Sequence, residues 1–469
     1  MKPLSLQSIY FHLPVFAQNL ATNAASLKNR IERYGGSFDS ILEGYRKRAT
    51  WSSEQMSEFQ SMRLKKMVSH CYETVPYYRR IFDEGGINPA SIRYRDDLAR
   101  LPILTKSIVN ACPQDFLSSS FADKRLVKRH TSGTTGSSFQ FVMNREAFME
   151  QWAVTWRYWE GLGIFRGTPH AVFGTRRIVP PEQKQPPFWR EKRPDKQLYF
   201  SAFHESDANM EVYFKEIDRQ GFAWIHGYPS IVTPLAAYMV RTDKRFHRPL
   251  THVTLAAENL LLFQKELMRE AFGVDPRMHY GSTEGVAQAS QDAAGVLYID
   301  EDYAVLETVA LSKDSDTQEI VGTSLTNFAM PLLRWRMGDA AVCKVDSSGR
   351  RYLDCLDGRS EDYVFLPDGR KLGKLDHVFK DTRAFREAQI KQNADYSLEL
   401  RVVAPDGRAP KDEEIALREL RESGFAGPVS FHYMDVIPKT KAGKLRFVIS
   451  DVAESGQGNG ANRGIGYGS

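Results

Sequence analysis

Cysteine is scarce: Cys71, Cys112, Cys343 and Cys355 are the four in 469 residues, and no two stand close together. That excludes a disulfide framework and fits a reducing compartment. Cys343 and Cys355 are spaced to meet across a hairpin, but no second pair of zinc ligands accompanies them. Long hydrophobic runs are missing too. The start, Met1-Lys2 through Phe16, has some apolar character, yet Ser5, Gln7, Ser8, His12 and Pro14 interrupt it, which argues against an export signal. No stretch reaches the roughly 20 apolar residues of a spanning helix. The expectation is a cytoplasmic protein with no transmembrane segment, with room for peripheral contact at the inner face of a membrane through segments such as Ile9-Tyr10-Phe11. Charge of one sign is lacking as well. The 63 basic residues are scattered among 58 acidic ones for a formal charge of +5, so nucleic acid is not an expected partner. No internal repeat is present.

What is there suits a multidomain globular enzyme. A chain of 469 residues exceeds the roughly 100 to 200 of one domain. Apolar positions recur at helical spacing over 55–75 (Met56, Phe59, Met62, Leu64, Met67, Val68, Cys71), and Pro76 with Tyr77-Tyr78 closes that helix. Residues 127–129 and 139–142 read as strands around a loop of hydroxyls and glycines. Short apolar runs (Ala223-Trp224-Ile225, Val253-Thr254-Leu255) alternate with amphipathic stretches over 230–240 and 261–271, which predicts α/β layering. Beyond Asp362 a compact α+β unit is expected, with strands over 398–403 and 429–433 and a charged helix over 411–422. The tail 454–469 is Gly, Asn and Ser with little to bury, and reads as disordered.

Five segments carry chemistry. In Thr131-Ser132-Gly133-Thr134-Thr135-Gly136-Ser137-Ser138 the glycines permit an anion-cradling backbone and the hydroxyls add donors for phosphate oxygens; a polar surface turn is the plainer alternative. No Gly-Lys-Ser/Thr ending makes it a kinase-type P-loop. Tyr280-Gly281-Ser282-Thr283-Glu284-Gly285 puts a ring, a close-approach glycine, hydroxyls and a carboxylate in one loop, and Glu284 is a carboxylate of the kind magnesium takes beside substrate phosphates. Arg334-Trp335-Arg336-Met337-Gly338-Asp339 offers a carboxylate able to accept from two ribose hydroxyls, or simply a turn aspartate. Asp357-Gly358-Arg359-Ser360-Glu361-Asp362 supplies a cation for ribose or phosphate oxygens at a candidate hinge, or a charged loop. Pro438-Lys439-Thr440-Lys441-Ala442-Gly443-Lys444 presents a glycine-flanked lysine that can offset charge between a carboxylate and an α-phosphate, or a solvated basic loop.

In this order the five segments resemble the adenylate-forming acyl-CoA synthetase superfamily. Within it the chain is similar to the phenylacetate-CoA ligase group, in the branch tied to capsular and other polysaccharide biosynthesis. Supporting cues are Leu13-Pro14 with Gln18-Asn19, Pro76-Tyr77-Tyr78, Leu101-Pro102 with Thr105-Lys106, Gly227-Tyr228-Pro229-Ser230 and Ala257-Glu258-Asn259. The chain departs from the family where Ser137-Ser138 replaces Lys-Pro and where Trp335 and Met337 replace Tyr and Thr.

The resemblance implies an α/β protein with a large multi-layer N-terminal adenylation domain (1–361) and a small mobile α+β C-terminal domain (362–453). It implies ATP and Mg2+ as cofactors, a small carboxylic acid activated as acyl-AMP, and coenzyme A, or else an amine, as acyl acceptor. A homodimer is compatible with it. By the same resemblance, Ser132, Gly133, Thr134, Thr135 and Gly136 hold the β- and γ-phosphates, with Thr131 beside them in the nucleotide site. Glu258 and Asn259 border adenine, and Tyr280 with Gly281 and Ser282 flanks it. Thr283 and Glu284 face phosphate and metal, Asp339 and Arg359 grip ribose, and Lys444, carried by the small C-terminal domain, serves the first half-reaction as its catalytic lysine. The aromatic stripe Trp152, Trp156, Tyr158 and Trp159 reads as core, and Tyr228 as the acyl-pocket candidate. A nucleotidyltransferase and a non-catalytic nucleotide-binding partner are the readings from other classes.

Overall fold

The computed structural model describes residues 6–131, 139–310, 318–359, 363–368, 371–372, 375–379, 381–438 and 445–452; of 355, 357–359, 371 and 376–377 only the backbone is described. The proposed disordered tail, residues 132–138 of the proposed phosphate loop, Asp362 and Lys444 lie outside the described residues. The chain divides into two compact units, Met1–Ser360 with Lys439–Leu445, and Glu361–Pro438 with Arg446–Ser469.

The first unit opens with helices α1 (Leu6–His12), α2 (Val15–Tyr34), α3 (Phe38–Arg48), α4 (Ser53–Thr74), α5 (Pro76–Glu84) and the short α6 (Lys106–Ala111). Helix α4 starts where Ser52 accepts from the Gln55 N–H and Gln55 accepts in return from the Ser52 N–H, a reciprocal cap. Pro76 both ends it and opens α5, because a proline at the first helical position sacrifices only an N–H that has no intrahelical partner. Strands β1 (Val127–Thr131) and β2 (Phe139–Met143) form an antiparallel pair, Thr131 opposite Phe139. Phe139 stacks on Trp335 with ring centroids 4.8 Å apart, so the tryptophan that departs from the family pattern is a core residue, 2% exposed.

Helices α7 (Arg145–Gly161), α8 (Asp207–Gln220), α9 (Pro229–Arg241) and α10 (Leu262–Phe272) accompany a twelve-stranded sheet. Its strands are β3 (His170–Phe173), β4 (Trp189–Lys192), β5 (Gln197–Phe200), β6 (Trp224–Gly227), β7 (His252–Ala256), β8 (Arg277–Gly281), β9 (Gln288–Gln291), β10 (Leu297–Ile299), β11 (Ala304–Ala310), β12 (Gln318–Ser324), β13 (Trp335–Val345) and β14 (Arg351–Arg359). They run in the order β11-β12-β13-β14-β10-β9-β8-β7-β6-β3-β5-β4. The β8-β7-β6-β3-β5 stretch is parallel; the rest pairs antiparallel. Cys355 stands opposite Val342 and Cys343 opposite Leu353 in the β13-β14 ladder, so the two cysteines do not form a facing pair.

The segment over 230–240, expected to be amphipathic, is buried almost all round as α9, wedged between α8 and α10. Helix α2 is inverted. It buries Gln18, Thr22 and Ser26 and leaves Phe16, Leu20, Leu27 and Ile31 exposed. The cause is the edge strand β4, whose backbone lacks an outer neighbour. Thr22 donates to the Glu191 carbonyl at 3.0 Å, and the Glu191 and Arg193 N–H groups donate to Asn19 and Asn23 at 3.1 and 2.7 Å.

The second unit carries the two-stranded β15 (Val364–Phe365) and β16 (Lys371–Leu372) and a four-stranded sheet. That sheet has β17 (Glu387–Gln392), β18 (Leu398–Val403), β19 (Val429–Tyr433) and β20 (Val448–Ser450) in the order β19-β18-β17-β20, with helix α11 (Pro410–Glu422). Among the described residues no helix is long and apolar enough to cross a membrane.

Candidate active site

Open parallel sheets bind ligands beyond the carboxyl ends of their strands. Here those ends deliver the loops after β3 (Gly174 to Arg177), β6 (Tyr228 to Ser230), β7 (Ala257 to Asn259) and β8 (Ser282 to Gly285). Gly227, the last residue of β6, allows a close approach: a Cβ there would lie 2.6 Å from the Phe173 carbonyl oxygen. Ala257 takes a left-handed backbone, φ +70°, a strain that turns the chain as it leaves β7. Glu258 then accepts from the Ser230 N–H at 3.0 Å, one of the N–H groups that α9 leaves open at its start. The Leu445 N–H also donates to Glu258, at 3.3 Å. Asn259 donates to the Leu356 carbonyl at 3.4 Å.

Tyr280, near the end of β8, donates its hydroxyl to Asp339 Oδ2 at 2.8 Å, joining two of the sequence candidates across 59 residues. Asp339 follows Gly338, φ +74°, and stands opposite Arg359 in the β13-β14 ladder. The strand is held at its start. Leu104 exchanges backbone bonds with Arg334 and Arg336, both 2.8 Å, and Arg334 is itself fixed by Glu307 at 3.1 Å. Ser282 uses its hydroxyl within the turn, accepting the Val286 N–H at 3.0 Å, and Gln151 donates to its carbonyl. Gly281 is the last ladder residue of β8, opposite Gln288, and Thr283 and Glu284 are half-buried in the turn that follows. Tyr228 caps α9, and burial raises its phenol pKa.

Several polar atoms near these loops are buried without a hydrogen-bond partner among the described residues: Thr131 Oγ1, Ser230 Oγ, His279 Nδ1, the Tyr303 hydroxyl, Arg33 Nε and Arg129 Nε. Native interiors seldom leave such atoms unsatisfied. Thr131 and Arg129 share the inner face of β1, and the Tyr303 hydroxyl would lie 3.0 Å from a Cβ on Gly285. The cations Arg33 and Arg129 escaped the sequence reading because nothing in their spacing sets them apart. Of the stripe read as core, Trp156, Tyr158 and Trp159 are 5–6% exposed, while Trp152 is half-buried beneath the Arg33 guanidinium. Among the described residues no group of three or more His, Cys, Asp and Glu is placed to hold a metal ion.

The CapK C-terminal domain family matches residues 366–451. Protein CapK of Staphylococcus aureus is 24% identical over 474 residues, covering 95% of this chain and all of that protein. Phenylacetate-coenzyme A ligase of Escherichia coli (strain K12) is 25% identical over 355 residues, 68% of this chain and 74% of the ligase. The solved structure of 2-hydroxyisobutyryl-CoA ligase in the postadenylation state, in complex with R3-HIB-AMP, matches with a TM-score of 0.67 at 18% identity, over 86% of this chain and 91% of that one. That match shows a common fold. Together these matches support an adenylate-forming ligase of the phenylacetate-CoA ligase-like, capsule-related group.

Proposed function

We propose that this enzyme activates a carboxylic acid with ATP, giving acyl-AMP and pyrophosphate, and then transfers the acyl group to coenzyme A. The observation that carries the reading is the Tyr280–Asp339 bond, which sets a ring and a carboxylate side by side next to the loops after β7 and β8. A planar base against Tyr280 and ribose hydroxyls on Asp339 suit that pair. Arg359, opposite Asp339 in the ladder, is the second ribose candidate. Thr131 together with Ser132, Gly133, Thr134, Thr135 and Gly136 is the candidate cradle for the outer phosphates.

Magnesium takes one or two carboxylates together with substrate phosphates and waters, so Glu284 alone is a sufficient protein contribution; an all-protein cage is not needed. When bound, the ion offsets charge on the phosphates. Lys444 is the candidate for bridging the attacking carboxylate and the α-phosphate, where a positioned cation lowers the barrier by opposing charge as it builds. The relatives named for coenzyme A ligation support the thioester product. A place in polysaccharide biosynthesis, in the cytoplasm or at the inner face of the membrane, is the reading that the sequence resemblance suggests.

Pyrophosphate release measured across aromatic, aliphatic, hydroxy and amino acids, with and without coenzyme A, tests this. Acid-dependent release is expected, and Lys444→Ala should lower it on the order of 100- to 1,000-fold, the size of losing one charge-stabilising donor. Pyrophosphate release that needs no acid would instead point to AMP transfer onto another acceptor. Release stimulated by amines and indifferent to coenzyme A would make the product an amide.

A further inference from the structure

The face of the parallel strands that meets α7 is neither apolar nor charge-balanced. His170, Trp224, His226, Thr254 and His279 project from it, and three of them meet the rings of α7: Trp159 lies 5.3 Å from both Trp224 and His226, and Tyr158 lies 5.5 Å from His279. Into this layer four cations converge from four separate elements. Arg33, in the last turn of α2, lies over the Trp152 ring at 4.0 Å, and Arg129 of β1 lies over Phe148 at 5.1 Å. Trp152 and Phe148 are one helical turn apart on α7, so the two guanidinium groups sit on adjacent rings. Lys192 of β4 reaches along the sheet to within 4.2 Å of the Tyr199 ring. The Tyr199 hydroxyl in turn accepts the Arg176 N–H at 3.3 Å.

Four cations ask for anions, and the described residues offer almost none. Asp195 is the acid that faces Arg33 and Lys192, but it already accepts from Ser26 and pairs with Arg30 at 3.5 Å. The Nε atoms of Arg33 and Arg129 are both buried without a partner. Burial, with Arg176 and Arg33 close by, pushes the Lys192 ammonium down to about 7. Leaving like charges together and unpaired is costly unless a ligand completes them. The cluster adjoins both ends of the candidate site: Arg176 follows Thr175, which hydrogen-bonds Tyr228, and Arg129 neighbours Tyr303 beneath Gly285.

We propose that Arg33, Arg129, Arg176 and Lys192 bind a second anionic group on the acid, so that the substrate carries one carboxyl to be activated and a carboxylate or phosphate ester at its far end. This rests on the adenylation reading and narrows its substrate class. Neutral histidines and the Tyr158 and Tyr199 phenols line the intervening layer, which suits a polar, hydroxylated spacer better than an alkyl chain.

The test measures binding without ATP, by calorimetry on the full chain, for matched pairs: hexanoate against adipate, benzoate against isophthalate, glycerate against 3-phosphoglycerate. Inorganic phosphate and pyrophosphate serve as controls. The dianionic member of at least one pair should bind on the order of tenfold to a hundredfold tighter, as charged hydrogen bonds dictate. The first two pairs report a distal carboxylate and the third a phosphate. Arg33→Met and Lys192→Met should abolish the preference and leave KM for ATP unchanged, whereas Arg33→Lys should retain part of it. Equal binding within every pair overturns the proposal, and needs no variant to fold. Variants that weaken ATP or pyrophosphate but not the acid also overturn it, by assigning the cations to the nucleotide's phosphates. Diacid binding with no pyrophosphate release for any acid would sink the adenylation reading and leave the anion pocket standing.

Discussion

At the scale of single residues, the Tyr280–Asp339 pair makes the sharpest separation between roles. Asp339→Asn removes a charged acceptor and is expected to raise KM for ATP about tenfold or more, since hydrogen bonds to charged groups are worth ~1.5–3 kcal/mol. Tyr280→Phe keeps the ring and loses one bond, so a smaller rise of a few-fold is expected, on the order of 1 kcal/mol. Steady-state kinetics of pyrophosphate release read both; equal and large effects on kcat alone would place the pair elsewhere in the reaction. Residue type was enough to nominate each partner from the sequence, but not their contact, because strand order decides it and no local pattern encodes that order. The four cations were illegible for a related reason: each is an ordinary surface residue type on its own element, and only the tertiary fold gathers them. Burial also leaves a pH signature. It pushes His170 and His279 down to about 3 and His226 to about 4, against about 6.5 in an unfolded chain. Below that unfolded value the unfolded chain takes up the protons first, so stability is full above pH 6.5 and falls as pH drops toward 4, by ~1.4 kcal/mol per pH unit for each histidine. Denaturant midpoints measured from pH 7 to pH 5 should show this fall. His170→Phe, which keeps the stack on Trp224 (centroids 3.8 Å apart), should remove one proton from the slope.

At the scale of elements, the contact between β3 and β6 sets where the Tyr228 loop begins. Gly227→Ala would press a methyl against the Phe173 carbonyl and side chain at 2.6 and 2.7 Å, and strand backbones cannot yield as a side chain does. A loss of ~1–3 kcal/mol is expected, seen as a lower urea midpoint with an unchanged slope. Activity should fall further than stability, because the loop after β6 moves with the strand. Elements with one buried face were legible in the sequence. The expected strands over 398–403 and 429–433 coincide with β18 and β19, and the expected helix over 55–75 differs from α4 by two residues at its start and one at its end. Helices α9 and α2 were not. Helix α9 is enclosed by neighbours on all sides, so its periodicity carries no inside and outside. Helix α2 buries polar residues because an edge strand needs hydrogen-bond partners, which reverses the usual pattern.

At the scale of the whole molecule, the proposed reaction has two halves with opposed demands. Adenylation calls for a cation beside the α-phosphate; thioester formation calls for access by coenzyme A to the acyl carbon from which AMP departs. One fixed arrangement serves both poorly. The compact units part between Ser360 and Glu361, within the Asp357-to-Asp362 segment picked out as a hinge. A hinge concentrates its motion in a few backbone dihedrals, and proline at such a position fixes one of them. Asp362→Pro is therefore expected to leave single-turnover pyrophosphate release within about threefold of wild type while slowing acyl-CoA formation by on the order of a hundredfold. Rapid-quench measurement of acyl-AMP and acyl-CoA in the same reaction separates the two, with acyl-AMP accumulating in the variant. Equal slowing of both halves would mean that Asp362 supports the first step itself, and unchanged rates in both would mean that any rearrangement turns on another residue.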